Sequence, residues 1–256
     1  MEKVRPKKSL GQHFLVDKNI ARKIVNSLDA GSSHILEVGP GMGVLTGFLM
    51  ERPGIELKAI ETDIEAVNYL TDHFPSLNSG ILHQDFLKVR LSEIFTYPFS
   101  LIGNFPYNIS SQIFFRILEY KDQIPEVVCM IQKEVAERIN AREGNKTYGI
   151  LSVLLQSFYN IQYLFTVSKK VFNPPPKVKS AVIKLTRNKR VSLPVEEDFF
   201  FKVVKTGFSQ RRKTLRNALK TLLPEPNFQH PVLKKRAEEL NPEAFIELAR
   251  LLSKHL

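Results

Sequence analysis

The 256-residue sequence predicts an α/β fold with a mainly parallel sheet, followed by a small all-helical domain. Between residues 34 and 132, five short apolar runs alternate with longer segments of helical period. Strands that alternate with helices form right-handed βαβ units, and therefore a parallel sheet. From residue 189 the pattern is helical throughout, so we predict one domain over 1–188 and a second over 189–256.

Each element of the first domain follows from its local pattern. The predicted strands are His34–Val38, Leu57–Ile60, Gly80–His83, Phe99–Ile102 and Val127–Ile131. The predicted helices cover 42–51, 64–73, 109–120, 133–142 and 149–158. Two later runs, Ile161–Val167 and Val178–Leu185, are rich in β-branched and aromatic residues and flank three consecutive prolines. These two runs predict an antiparallel pair at the sheet edge.

The second domain carries a candidate RNA-binding surface. Helical periodicity predicts helices at about 196–206, 209–222, 231–239 and 242–254. On the second of these, Arg212, Arg216 and Lys220 recur every four residues, with Lys213 beside them. Such a basic stripe suits contacts with RNA phosphates, and we predict that role for all four side chains. The alternative is a solvated face of a small helical domain.

Charge is concentrated at the two ends of the chain. The formal net charge is +11; residues 1–23 contribute +5, residues 189–256 contribute +6, and the stretch between them is neutral. A neutral body with basic ends indicates a catalytic core flanked by contacts with a polyanion. Lys3, Arg5, Lys7 and Lys8 form an N-terminal basic cluster that could close over a substrate or cofactor.

Composition excludes several other classes of protein. The single cysteine, Cys129, rules out a disulfide framework and a cysteine-based zinc site, and the six histidines show no ligand spacing, so we predict no metal. The chain has no apolar run of about 18 residues, and its first residues lack the apolar stretch of a signal peptide. We therefore expect a cytoplasmic protein, without membrane contact and monomeric.

A glycine loop follows the first strand, in Glu37-Val38-Gly39-Pro40-Gly41-Met42-Gly43. Closely spaced glycines let the backbone approach a ligand at the next helix N-terminus, although position 44 is valine where a dinucleotide fingerprint needs glycine. The loop resembles that of Rossmann-like class I S-adenosylmethionine-dependent methyltransferases. Glu61 and Asp85 follow the next two strands, where carboxylates can accept hydrogen bonds from ribose hydroxyls and an adenine amino group.

The fourth strand ends in Asn104-Phe105-Pro106-Tyr107, which suits chemistry on an exocyclic amine. The adenine N6 lone pair is delocalised, so acceptors for its two hydrogens, the Asn104 side-chain oxygen and a backbone carbonyl held by Pro106, favour rehybridisation toward an electrophilic methyl group. Tyr107 offers a ring on which a flipped base can stack, worth about 1–3 kcal/mol. Positioning supplies most of the rate in this scheme.

The chain resembles the ribosomal RNA adenine N6,N6-dimethyltransferase family along essentially its whole length. The matching segments are Lys8–Leu15, Glu37–Gly41, Asn104–Tyr107, Ile131–Ala136, Tyr148-Gly149 and Phe172–Ser180. Two positions depart from the common pattern, His13 in place of asparagine and Phe105 in place of leucine. The resemblance implies dimethylation of two adjacent adenosines near the 3′ end of small-subunit rRNA, free or in a pre-small-subunit particle.

The same resemblance assigns the site residues. The cofactor S-adenosylmethionine would be held by His13, Leu15, Gly39, Gly41, Glu61, Asp85 and Asn104. The target adenine would meet Asn104, Pro106 and Tyr107, with Phe172 stacking opposite Tyr107. Two alternatives stay open: a large-subunit adenine methyltransferase of the macrolide-resistance type, and an assembly factor whose main role is binding.

Overall fold

The computed structural model describes residues 4–7 and 10–254, and within them the protein has nine β-strands. They are β1 (Phe14–Leu15), β2 (His34–Val38), β3 (Glu56–Glu61), β4 (Ile81–His83), β5 (Ser100–Asn104), β6 (Glu126–Gln132), β7 (Tyr159–Val167), β8 (Phe172–Asn173) and β9 (Ser180–Arg187). Seven of them form one sheet in the order β4-β3-β2-β5-β6-β9-β7, and β1 and β8 form a separate antiparallel pair.

Ten α-helices lie in the same residues. They are α1 (Lys18–Val25), α2 (Val44–Met50), α3 (Ile64–His73), α4 (Leu91–Ile94), α5 (Ser110–Glu119), α6 (Lys133–Ile139), α7 (Ile150–Phe158), α8 (Glu197–Ser209), α9 (Leu215–Ala218) and α10 (Pro242–Ser253). None of these helices is long and apolar enough to cross a membrane.

The predicted α/β fold is confirmed. Strands β2 to β6 pair in parallel, and β9 runs antiparallel to β6, which places the two later runs at one side of the sheet. The centres of β2, β5, β6 and β9 are apolar and fully buried, as expected where helices cover both faces of a sheet. Because β2, β3, β4 and β5 are parallel, their carboxyl ends meet at one edge, and that edge carries the site.

The chain forms two compact units, and their boundaries differ from the predicted domains. Unit 1 comprises 1–136 and 161–187, and unit 2 comprises 137–160 and 188–256. Residues 137–160, which the sequence placed in the first domain, thus belong with the C-terminal helices. The reason is α7: seven of its nine residues are buried, so it must be covered on nearly every side. Helices α8 and α10 provide that cover.

The predicted continuous helices at 209–222 and 231–239 are wrong. Helix α8 ends at Ser209, a turn follows, and α9 begins only at Leu215. The side chain of Leu215 is buried against Gly207, whereas eight residues of straight helix would separate the two by about 12 Å. Burial of Leu215 therefore favours the turn. The segment 231–239 likewise forms two short 3-10 turns, at Pro231–Lys234 and Ala237–Glu239.

Candidate active site

A cavity of about 310 Å³ opens at the carboxyl ends of β2, β3, β4 and β5. This is the edge at which open parallel sheets bind ligands, and the volume suits a small organic molecule. The cavity brings together most of the predicted site residues. Its lining includes His13, Gly39, Gly41, Glu61, Asp85, Asn104, Pro106 and Tyr107.

The glycine loop contributes backbone rather than side chains. Gly39 and Gly41 have φ values of +67° and +56°, in the left-handed region that favours glycine. A Cβ on Gly41 would lie 2.8 Å from the Phe14 ring, which is too close. Beside Gly39 there is room, because a Cβ there would still lie 3.9 Å from the Asn104 carbonyl oxygen. The loop therefore leaves a cradle where a ligand can approach the backbone.

Glu61 is a buried carboxylate held by backbone N–H groups. Its Oε1 accepts hydrogen bonds from the amides of Thr62 and Asp63 at 2.8 and 3.0 Å, and its Oε2 accepts from Gly41 at 3.2 Å. Burial raises the pKa of Glu61, and these three hydrogen bonds oppose the rise. Its Oε2 accepts only the Gly41 bond among those formed by the described residues, so it retains an acceptor site for a ligand hydroxyl.

Asp85 lies in the loop after β4 and is more exposed than Glu61. Its Oδ1 accepts a hydrogen bond from the Leu87 amide at 2.9 Å, and its Oδ2 lies 3.6 Å from the Lys88 ammonium. The carboxylate is thereby oriented by its own loop while it lines the cavity. This placement suits an acceptor for the amino group of a purine.

Asn104 presents an unused acceptor at the end of β5. Its Nδ2 donates a hydrogen bond to the His13 carbonyl oxygen at 2.9 Å, which fixes the orientation of the amide. Its Oδ1 is buried and has no hydrogen-bond partner among the described residues. A buried acceptor without a partner costs about 1–3 kcal/mol, so its occurrence in a cavity indicates a site for a ligand donor.

Tyr107 is held at both its ring and its hydroxyl. The ring centroid lies 5.5 Å from that of His13, and the phenol oxygen hydrogen-bonds to Ser180 Oγ at 2.5 Å. Burial raises the pKa of Tyr107, so the phenol is neutral at physiological pH. Pro106, which directly precedes Tyr107, also lines the cavity. Its carbonyl oxygen accepts a hydrogen bond from the Ile109 amide at 3.2 Å.

Two predicted residues lie outside this cavity. Leu15 is buried and lines a neighbouring, much smaller cavity of about 30 Å³ that also includes Gly39 and Asn104. Phe172, opposite Leu15 in the β1–β8 pair, is only 4% exposed and packs in a hydrophobic cluster of buried residues. The structure thus does not place the Phe172 ring beside Tyr107, and the sandwich on a target base stays a prediction.

Sequence reasoning missed several residues at this site. Glu37 lines the smaller cavity, is buried, and accepts a hydrogen bond from the Thr46 hydroxyl at 2.6 Å. Burial raises the pKa of Glu37 to about 7. Its signal was available, since it is the acidic residue that opens the glycine motif. Gln12 and Ser180 also lie within the family motifs, but the sequence does not indicate which contacts they make.

The predicted RNA-binding stripe does not form, because its residues do not share one helix. Arg212 and Lys213 are exposed in the turn between α8 and α9, and Lys220 is exposed beyond α9. The Arg216 guanidinium instead donates hydrogen bonds to the carbonyls of Pro226 and Phe228. Arg216 therefore stabilises a loop of unit 2, and its contact with an RNA phosphate stays a prediction.

The N-terminal basic cluster is only partly described. Lys3 and Lys8 lie outside the described residues, as does Ser9 of the first family motif. Within the described ranges, Lys7 forms ion pairs with Asp63 and Glu65. Those ranges also contain no group of three side chains suited to hold a metal ion.

The residues that line the cavity fit a nucleoside cofactor. Acceptors at two neighbouring strand ends fit the ribose and adenine of a nucleoside, and the cradle at Gly39 admits a ligand to the backbone. The buried Asn104 Oδ1 has no partner among the described residues and can accept a hydrogen bond from a ligand. We conclude that the fold and site are those of an S-adenosylmethionine-dependent methyltransferase.

The chain belongs to the ribosomal RNA adenine dimethylase family. The model of that family, described as "Ribosomal RNA adenine dimethylase", matches residues 3–254. It is 57% identical to "Ribosomal RNA small subunit methyltransferase A" of Parabacteroides distasonis, over 100% of this chain and 97% of that protein. The protein of the same name in Cytophaga hutchinsonii is 54% identical, over 99% of both chains.

Two solved structures share the fold of this chain. A dimethyladenosine transferase from Plasmodium falciparum superposes with a TM-score of 0.77 at 25% identity, covering 95% of this chain and 98% of that one. The 23S rRNA methyltransferase ErmE superposes with a TM-score of 0.69 at 23% identity, over 94% and 99% of the two chains, and supports the fold alone.

Proposed function

We propose that this enzyme transfers methyl groups to the N6 amines of two adjacent adenosines near the 3′ end of small-subunit rRNA. The product is N6,N6-dimethyladenosine. The observation that carries the proposal is the buried, unpartnered Asn104 Oδ1 at the cavity of a family member. The names of the 54–57% identical relatives favour the small-subunit substrate over the large-subunit alternative.

The contacts of the site residues support the following roles. S-adenosylmethionine, when bound, supplies an electrophilic methyl group. Glu61 and Asp85 would accept hydrogen bonds from its ribose and adenine, and His13, Leu15, Gly39 and Gly41 would complete its site. Asn104 Oδ1 would accept one N6–H of the target adenine and so localise the lone pair on nitrogen. Tyr107 would stack on the extruded base, and Pro106 would fix the turn that joins Asn104 to Tyr107.

No strong general base is required in this scheme, because the amine becomes acidic once it is methylated. The neutral phenol of Tyr107, bonded to Ser180, is suited to stacking and not to removing a proton. Catalysis then depends on holding the amine and the methyl donor in line. That demand matches a site in which Asn104 and Tyr107 are each fixed by a second residue.

The RNA-binding part of the proposal rests on unit 2. Three of its segments, 142–147, 210–215 and 234–238, are tied together, and we call them the basic loop surface. The Gly144 amide donates to the Glu238 carbonyl at 2.7 Å, and the Leu215 amide donates to the Lys235 carbonyl at 2.7 Å. The exposed cations of this surface are Arg142, Lys146, Arg212, Lys213, Lys234, Lys235 and Arg236.

A convergence of exposed cations on loops suits phosphate contacts on folded RNA. We infer that Arg212 and Lys213 contact rRNA from this surface, with Lys220 as a further contact. On this basis unit 1, residues 1–136 and 161–187, forms the methyltransferase domain, and unit 2 forms the RNA-binding domain. The proposal further includes action as a monomer in the cytoplasm, on rRNA or on a pre-small-subunit particle.

The decisive experiment is methylation of undermethylated small subunits with labelled S-adenosylmethionine, followed by nucleoside mass spectrometry and mapping of the modified positions. We expect two adjacent N6,N6-dimethyladenosines near the 3′ end of small-subunit rRNA. Absence of dimethyladenosine, or modification at other positions of the small-subunit rRNA, would contradict the substrate assignment. The matched controls are Asn104→Ala, expected to be inactive, and Asn78→Ala, an exposed asparagine of unit 1 expected to retain full activity.

A further inference from the structure

Asp63 makes more contacts than the N-cap of a helix requires. Both Asp17 and Asp63 cap helices by accepting backbone hydrogen bonds, Asp17 at α1 and Asp63 at α3. Asp17 is partly exposed and caps through Asn19 and Ile20 alone among the described contacts. The Asp63 side chain, by contrast, is fully buried and also binds two side chains from the N-terminal segment.

These additional contacts engage both oxygens of the Asp63 carboxylate. The Lys7 ammonium lies 2.5 Å from Oδ1, and Gln12 Nε2 donates to Oδ2 at 2.9 Å. Gln12 Oε1 in turn accepts from the Lys7 amide at 2.8 Å. We call this arrangement of Lys7, Gln12 and Asp63 the Asp63 latch. Burial raises the pKa of Asp63, but the hydrogen bonds from Lys7, Gln12 and the Glu65 amide outweigh that effect and hold the pKa below its ordinary value, so the carboxyl is ionised.

The Asp63 latch connects the two sides of the cavity. Residues 10–13, directly next to its Gln12 contact, line the cavity. The His13 carbonyl there accepts the hydrogen bond that orients Asn104, at 2.9 Å. On the other side, the Asp63 amide donates to Glu61 Oε1 at 3.0 Å. Asp63 itself does not line the cavity, so it acts on the site through these neighbours.

We propose that Asp63 is a positioning residue that holds the N-terminal segment across the cofactor cavity. Through Lys7 and Gln12 it keeps the His13 carbonyl where Asn104 needs it, and through its amide it holds Glu61. Loss of the latch therefore weakens cofactor binding and disorders the acceptor of the target amine. The proposal rests on the proposed function only for the identity of the cofactor.

The test uses the full chain, three single variants and the double variant of Lys7→Met with Asp63→Asn. Asp63→Asn keeps the cap of α3, since asparagine caps as well as aspartate, but removes the charge that attracts Lys7. Lys7→Met removes the other partner at a site that is 36% exposed and outside the core. The matched control is Glu65→Gln, because Glu65 also pairs with Lys7, at 3.0 Å, but is half exposed and outside the latch.

Two measurements are made on each variant. In ligand-free protein, hydrogen–deuterium exchange of residues 10–15 should accelerate in Asp63→Asn and Lys7→Met and stay unchanged in Glu65→Gln. By calorimetry, both latch variants should bind S-adenosylmethionine about tenfold more weakly. The double variant should resemble either single one, because the two residues act through the same contact.

The outcomes separate the proposal from its alternatives. Exchange and affinity within twofold of Glu65→Gln in both latch variants would overturn it. If Asp63→Asn fails to fold, Lys7→Met decides by the same criteria. A wild-type protein that binds S-adenosylmethionine but makes no dimethyladenosine would refute the proposed function, while the exchange data would still decide on the latch.

Discussion

The cavity of unit 1 and the basic helical stripe of unit 2 were both predicted from the spacing of residues, and the structure forms the first but not the second. Around the cavity, Glu61, Asp85 and Asn104 lie together because each follows a parallel strand, and the sheet brings those strand ends to one edge. In unit 2, the prediction from the four-residue spacing of Arg212, Arg216 and Lys220 required one continuous helix, which the chain does not form.

This difference shows what a sequence pattern needs in order to predict a site. In a parallel sheet, the carboxyl end of every strand lies at the same edge, whatever the neighbouring side chains are. A helical stripe exists only if the helix is continuous, and burial of a single apolar residue, Leu215, is enough to interrupt it. The predictions below sharpen this comparison, from the largest expected effect to the smallest.

Asn104→Ala should lower kcat/KM for methyl transfer by about 10³-fold or more, because the amine loses its acceptor. Binding to undermethylated small subunits should stay nearly intact, as measured by cosedimentation. If particle binding disappeared as well, the assignment of catalysis to unit 1 and of RNA binding to unit 2 would be wrong.

Glu37 should make the stability of the ligand-free protein depend on pH. Because burial raises its pKa from 4.5 to about 7, the folded state binds more protons than the unfolded state in that window. The free energy of unfolding should therefore fall as the pH rises from 4.5 to 7, by roughly 3 kcal/mol in total. Urea unfolding at several pH values should show a flatter profile for Glu37→Gln, and equal slopes would contradict the expectation.

Neutralising Arg212 and Lys213 should weaken RNA binding and lower the slope of log affinity against log salt by about 0.7–0.9 for each lost phosphate contact. Arg216→Met should instead lower the melting temperature, because it removes hydrogen bonds to the carbonyls of Pro226 and Phe228. Filter binding across a salt series distinguishes the two effects. An unchanged slope for the Arg212 and Lys213 variant would remove them from the interface.

Ser180→Ala and Tyr107→Phe should each lower kcat by about five- to tenfold, because each removes the hydrogen bond that holds the Tyr107 ring. The double variant should be no worse than either single one. Fluorescence of 2-aminopurine at the target position reports the stacking directly. A far larger loss in Tyr107→Phe than in Ser180→Ala would mean that the hydroxyl itself takes part in the chemistry.

Local pattern alone determined the α/β fold and most of the cavity. Apolar runs alternating with helical periods specify βαβ units, and the glycines and acidic residues at strand ends then mark the ligand edge. Strand β2, predicted at His34–Val38, has those bounds in the structure. The glycine loop, Glu61, Asp85 and the Asn104–Tyr107 turn all line the one cavity, as expected from that topology.

Only the tertiary structure decided which side chains are free to act. Arg216 and Arg212 look equivalent in sequence, but backbone carbonyls of Pro226 and Phe228 accept hydrogen bonds from Arg216. Asp63 reads as an ordinary helix cap until the N-terminal segment folds over it. The physical reason is that hydrogen bonds between residues far apart in the chain are set by packing, whereas strand ends and helix caps are set by short-range order.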